Sequence, residues 1–193
     1  MAGSGGTAGS AGNSGSGGGG VSGGSGGSNP DCPTGMSARY QSQQNASSTT
    51  SLGAQLAIYN QGSASVDLAD LHLRYYLTNE VAAQVNTSIN YAYVTTIPSG
   101  GQTPISSAVQ ASLVAMAAPK SYADSYLEFG FNASAGTLTP SHSVLLSWST
   151  SNSAAQAFTQ TNDYSFSSSQ TTSGDYAKVV LLHGTCVIWG NPP

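Results

Sequence analysis

The chain has 193 residues, with four Lys and Arg against eight Asp and Glu and a formal net charge of −4. Its cations, Arg39, Arg74, Lys120 and Lys178, are scattered, so the clustered positive charge that neutralises phosphates is missing and nucleic-acid binding is excluded. No apolar run approaches the length of a membrane span, which sets transmembrane helices aside.

Residues 1–29 are almost wholly Gly, Ser, Ala and Thr. Such a segment cannot bury enough apolar surface to offset the entropy of ordering its backbone, so a flexible linker is expected there. The opening MAGSGGTAGS has neither the basic nor the apolar region of a signal peptide; the expectation is a piece of a longer protein, or a misplaced start. Residues 30–193 suffice for one domain with one core. QLAIYN (55–60) alternates apolar and polar residues and is followed by the turn signal QGSAS. LHLRYYLT (71–78) puts Leu71, Leu73, Tyr75 and Leu77 on one face and His72, Arg74, Tyr76 and Thr78 on the other. INYAYVTTI (89–97), YLEFGF (126–131) and SVLLSWST (143–150) read as strands, and KVVLLHGTCVIWG (178–190) as a hairpin turning near His183-Gly184. VQASLVAM (109–116) fits a helix or a strand by pattern, and the β-rich context makes it a strand. Short strands separated by turn signals predict an all-β, antiparallel β-sandwich.

Signals for catalysis are weak. His72, His142 and His183 have no His, Cys or carboxylate at zinc spacing, and there is no GxSxG elbow or phosphate-cradling glycine loop. Glu128 is expected to point out of its sheet toward Arg74, and nothing singles out a pair of opposed carboxylates for glycoside hydrolysis. An enzyme is therefore not expected. Two readings stay open for Cys32 and Cys186, a disulfide clamping the two ends of the domain or two unrelated thiols. The sequons at Asn45, Asn86 and Asn132 are expected by chance in so Ser/Thr-rich a chain.

Five blocks, LADLHLRYYLT, YADSYLEFGF, GTLTPSHSV, FTQTNDYSF and VVLLHGTCVIWG, have the order and spacing of a family 3 carbohydrate-binding module. The resemblance runs from about Met36 to Gly190. It implies a jelly-roll-like sandwich of about nine strands, exported, without chemistry of its own. It also implies a structural calcium, which by position falls to Thr78, Glu80, Thr159, Asn162 and Asp163. The carboxylate, amide and carbonyl oxygens of these two segments suit that ion, although Glu80 stands where the family has Asp. The reading without an ion is an Asx-turn at Asn162-Asp163.

Members that bind crystalline cellulose present a flat row of aromatic and charged side chains, whose rings stack on the apolar faces of glucose. By position the first pair of that row is Asn90-Tyr91. A later Tyr falls near Gly101-Gln102, an Arg near Ser149 and a Trp at Ala155, within SNSAAQA, so most of the row is absent. Tyr93 and Trp148 are possible substitutes, with Trp148 expected in the core. The expected function is non-catalytic binding of cellulose or a related β-glucan through Asn90, Tyr91 and Gln102, anchoring a fused or associated partner to polysaccharide. The competing expectation is an interaction domain that has lost this binding and makes contacts through the Arg74 and Tyr76 face.

Overall fold

A computed structural model describes residues 32–193 apart from Ala82 and Ser99; the expected linker at 1–29 lies outside the described residues. The first strands are β1 (Met36–Ser42), β2 (Ser48–Thr49), β3 (Ser51–Asn60), β4 (Val66–Asp67) and β5 (Leu71–Leu77). Next come β6 (Val85–Thr96), β7 (Gln102–Pro104), β8 (Val109–Lys120), β9 (Ala123–Phe131) and β10 (Thr137–Leu138). The chain continues through β11 (His142–Asn152), β12 (Phe158–Thr159), β13 (Gly174–Asp175), β14 (Val179–His183) and β15 (Cys186–Trp189). Nine of these strands have four or more residues, and the only helical turns among the described residues are 3-10 turns.

Pairing is antiparallel throughout, in a six-stranded sheet of order β13-β1-β3-β11-β6-β7 and a five-stranded sheet of order β15-β14-β5-β9-β8. Two further antiparallel ribbons are β10-β4 and β12-β2. The segment 109–116, ambiguous by pattern, is strand. It sits in this state because β9 offers a partner edge along most of its length, and pairing decides such cases where local propensity does not.

The period-2 alternation seen in the sequence becomes the core. Leu56, Ile58, Val144 and Leu146 of one sheet are buried in a single cluster with Leu71, Leu73, Leu127, Phe129 and Leu181 of the other, each such side chain contributing about 1.5–3 kcal/mol relative to exposure. Trp148 is 1 % exposed, edge-on to Tyr75 at 5.3 Å and 5.4 Å from Phe129. This ring joins the two sheets and is unavailable to a ligand.

On the opposite face of β5, Arg74 reaches Glu128 on β9 at 2.7 Å and lies 4.5 Å over the Tyr126 ring. Tyr76 shares that outward side yet is 4 % exposed, since the rings of Tyr126 and Tyr164 lie 5.5 and 6.2 Å away. The Arg74 and Tyr76 face is therefore partly an aromatic cluster. A disulfide joins Cys32 to Cys186, with Cα atoms 6.1 Å apart, and so ties the approach to β1 onto β15 in the other sheet.

Candidate functional site

The outer face of the six-stranded sheet owes its character to one irregularity. Along β6 the core side takes Val85, Ile89, Ala92 and Val94, so the inward phase shifts from odd to even positions between Ile89 and Ala92. The cause is a β-bulge: Ser147 pairs with Tyr91 but Trp148 pairs with Ile89, which leaves Asn90 as the extra residue. Both Asn90 and Tyr91 consequently face outward, and Tyr93 and Thr95 follow in the new phase. Ser149 Oγ donates to Asn90 Oδ1 at 3.2 Å, Asn90 Nδ2 donates to Ser147 Oγ at 3.4 Å, and Gln55 Nε2 donates to the Tyr91 hydroxyl. The Tyr91 and Tyr93 rings lie 5.5 Å apart.

Strand register arranges this face in rows. The first is Gln41, Gln55, Ser147 and Tyr91. The second is Arg39, Ala57, Leu145, Tyr93 and Pro104, and the third Ser37, Tyr59, Ser143, Thr95 and Gln102. Gln102 thus shares the face with Asn90 and Tyr91 but sits two rows away, about 13 Å along the strands. Of the three residues expected to bind carbohydrate, the structure brings only Asn90 and Tyr91 together. Of the residues at which the resemblance sets the row's Arg and Trp, Ser149 is bonded to Asn90 and Ala155 lies at φ 52° in a turn. That turn is organised by Asn152, whose Oδ1 accepts from the amides of Ala154 (3.2 Å) and Gln156 (2.9 Å). Tyr59 was not anticipated as part of the face. Its signal was present, since QLAIYN puts Tyr59 in phase with Gln55 and out of phase with the core residues Leu56 and Ile58.

A second constellation lies where the turn after β5 meets the 3-10 turn Gln160–Asn162 after β12. All five residues expected at the ion clamp converge here. Thr78 N donates to Asp163 Oδ1 at 2.8 Å, and Thr78 Oγ1 donates to the Asn162 carbonyl at 2.8 Å. Glu80 Oε1 accepts from Thr159 N at 3.0 Å and from Asn162 Nδ2 at 3.1 Å. Two residues join them that sequence reasoning missed, Asn79 and Asp124, linked by a 2.9 Å bond from Asn79 N to Asp124 Oδ1.

Three buried oxygens of this cluster, Asn79 Oδ1, Asn162 Oδ1 and Asp163 Oδ2, have no hydrogen-bond donor. Burial pushes the Asp163 carboxyl up to about 8; the Thr78 amide pulls it down, while the charges of Glu80 and Asp124 push it further up. Among the described residues, no three His, Cys, Asp or Glu side chains converge as a metal cluster. Carboxylates mixed with amide and backbone carbonyl oxygens form instead a hard-cation donor set, the kind that calcium takes and zinc does not.

Comparison with known proteins bears on the sandwich as a whole. The family model described as "Cellulose binding domain" matches residues 37–190. A xyloglucanase of a Paenibacillus species is 32% identical over 148 residues, covering 77% of this chain and 13% of the relative. Cellulosomal-scaffolding protein A of Acetivibrio thermocellus is 32% identical over 160 residues, covering 82% and 8%. The chain therefore spans a small part of these two relatives. Among solved structures, the carbohydrate-binding domain with flanking linkers from scaffoldin CipA of Clostridium thermocellum superposes with a TM-score of 0.78 at 27% identity, covering 84% of this chain and 93% of that one. A biomass-sensing module from a putative RsgI-like protein of the same organism gives a TM-score of 0.73 at 25% identity, covering 83% and 100%. With its antiparallel sandwich and a match over nearly all the described residues, the chain belongs to the family 3 cellulose binding domains, which are non-catalytic carbohydrate-binding modules.

Proposed function

We propose that this module is exported and anchors a larger protein to cellulose or a related β-glucan in the service of polysaccharide breakdown, with its loops pinned by calcium. The observation that carries the binding reading is the outer face of the six-stranded sheet, where the bulge at Asn90 turns Asn90, Tyr91 and Tyr93 outward beside the amides of Gln41 and Gln55. Tyrosine rings stack on the apolar faces of sugars, and neutral amides and hydroxyls meet their edges. Fusion to catalytic or scaffolding neighbours is supported by the small share of the xyloglucanase and the scaffolding protein that the module spans. For calcium, the supporting observation is the set of undonated oxygens at Asn79, Asn162 and Asp163. Glu80 and Asp163 would supply charge to that ion and Asn162 a neutral oxygen, so the ion would hold the two turns together.

Depletion of the purified chain by microcrystalline cellulose tests the reading. Tyr91→Ala is expected to weaken binding about tenfold, the loss of one stacked ring and its polar contact. A folded wild-type chain that binds neither microcrystalline cellulose nor a soluble β-glucan would sink it. A second reading, contact with a neighbouring protein domain, is favoured by the other sheet, where Arg74, Glu128 and Tyr126 form an outward-facing clamp. Glu128→Gln would weaken such a contact and leave cellulose depletion unchanged.

A further inference from the structure

At the far end of the same face, Tyr59 and Arg39 form a corner. The Arg39 guanidinium lies 4.2 Å over the Tyr59 ring, and its Nε donates to Asp175 Oδ1 at 2.9 Å. Both residues line a recess of about 480 Å³ together with Asn60, Gln61, Ile97 and Pro98, a volume within the range of small-ligand sites.

We propose that this corner is a sugar subsite for a single, non-crystalline β-glucan chain, so that soluble or amorphous glucan is the module's preferred ligand. The inference rests on the reading that this sheet binds β-glucan, and it adds which physical form is bound and through which residues.

Three observations lead there. First, the site is concave. A flat crystal face reaches rings that protrude from a plane but not a recess, whereas a separate chain enters one. Second, the positions that would complete a flat grip hold Ser149 and Ala155, so stacking area for a crystal is reduced where the recess adds to it. Third, the chemistry suits a neutral polyol. The Asp175 carboxylate balances the Arg39 charge, which removes the advantage a bare guanidinium gives to uronates. Asp175 engages Nε, and the other guanidinium N–H groups are donors beside an aromatic ring.

Placement is also consistent with one ligand crossing the whole face. Tyr93 and Tyr59 stand one row and two strands apart, about 12 Å by strand and residue spacing. A chain stacked on Tyr91 and Tyr93 and crossing β11 over Leu145 and Ser143 reaches Tyr59 within a few sugar units.

The test uses the full chain with two probes, cellohexaose in solution by calorimetry and microcrystalline cellulose by depletion. The expected result is cellohexaose binding that weakens about tenfold in Tyr59→Ala and in Arg39→Gln, is retained in Tyr59→Trp, and is accompanied by a less than twofold change in cellulose depletion. Retention in Tyr59→Trp separates loss of the ring from damage to the fold. Two results would overturn the subsite while leaving β-glucan binding intact: cellohexaose binding unchanged in Tyr59→Ala and Arg39→Gln but weakened in Tyr91→Ala, or a wild-type chain that binds the crystal and not cellohexaose. A folded wild-type chain that binds neither probe overturns both.

Discussion

Removing calcium with a chelator at neutral pH is expected to lower the unfolding midpoint by about 10 °C. A cation present at about 1,000 times its dissociation constant stabilises the folded state by about 4 kcal/mol, and each kcal/mol moves the midpoint of a domain this size by about 2–4 °C. The local reason is that Asn79 Oδ1, Asn162 Oδ1 and Asp163 Oδ2 are buried without donors, each costing about 1–3 kcal/mol when left unpaired. A hard cation supplies what those lone pairs lack.

The effect carries a pH signature. Without metal, burial raises the Asp163 carboxyl from 3.8 to about 8, against the pull of the Thr78 amide and with the charges of Glu80 and Asp124 adding to the rise. A folded-state value above the unfolded one means that the native state holds the proton more tightly. Its contribution to stability is complete below about pH 4 and lost as pH rises through about 8. The chelated chain should therefore melt at progressively lower temperature from pH 5 to pH 8, roughly the window set by that raised value. The calcium-loaded chain, in which a cation takes the proton's place, should lose much less. Asp163→Asn should abolish both the calcium response and this pH trend. Superimposable melting curves with calcium and with chelator at pH 7.5 would rule the ion out.

The second large effect is expected at the disulfide. Replacing both Cys32 and Cys186 with Ser should cost about 2–5 kcal/mol and lower the midpoint by about 5–15 °C. The bridge closes a loop with a sequence separation of 154 residues, for which the chain-entropy estimate is about 5 kcal/mol. It acts at a place where no strand ladder would replace it. β1 lies in the six-stranded sheet and β15 at the edge of the five-stranded one, so without the bridge the approach to β1 is joined to β15 by no ladder. Thermal melts of the double variant check this, with thiol counting on the wild-type chain as the companion measurement. Two reactive thiols in the unfolded, unreduced protein would contradict the bridge.

Much of the architecture was legible as text because strand alternation is local. Leu71, Leu73, Tyr75 and Leu77 were readable as one buried face, and the hairpin at His183-Gly184 as a turn, with Gly184 at φ 55°. The Arg74–Glu128 pair could be anticipated because both residues belong to the outward phase of their own strands. Trp148 fell into the core for the same reason. The convergence of the two oxygen-rich turns around Thr78 and Asp163 was also readable, since both were singled out in the sequence.

Tertiary structure alone decided what depends on a partner strand. A bulge exists only against the strand it is bulged from, so the shift that turns Asn90 and Tyr91 out together was invisible until β6 met β11. Register set Gln102 two rows from Tyr91, and placed Arg39 of β1 beside Tyr59 of β3 and Asp175 of β13. Asn79 and Asp124 joined the oxygen-rich cluster through a contact between residues 45 positions apart in sequence. The sequence by itself determined the family, the two faces of most strands and the oxygen-rich character of the two turns that meet at Asp163, since these follow from residue type and a two-residue period. Which side chains share a surface, and so what that surface can hold, came from long-range pairing that no local pattern encodes.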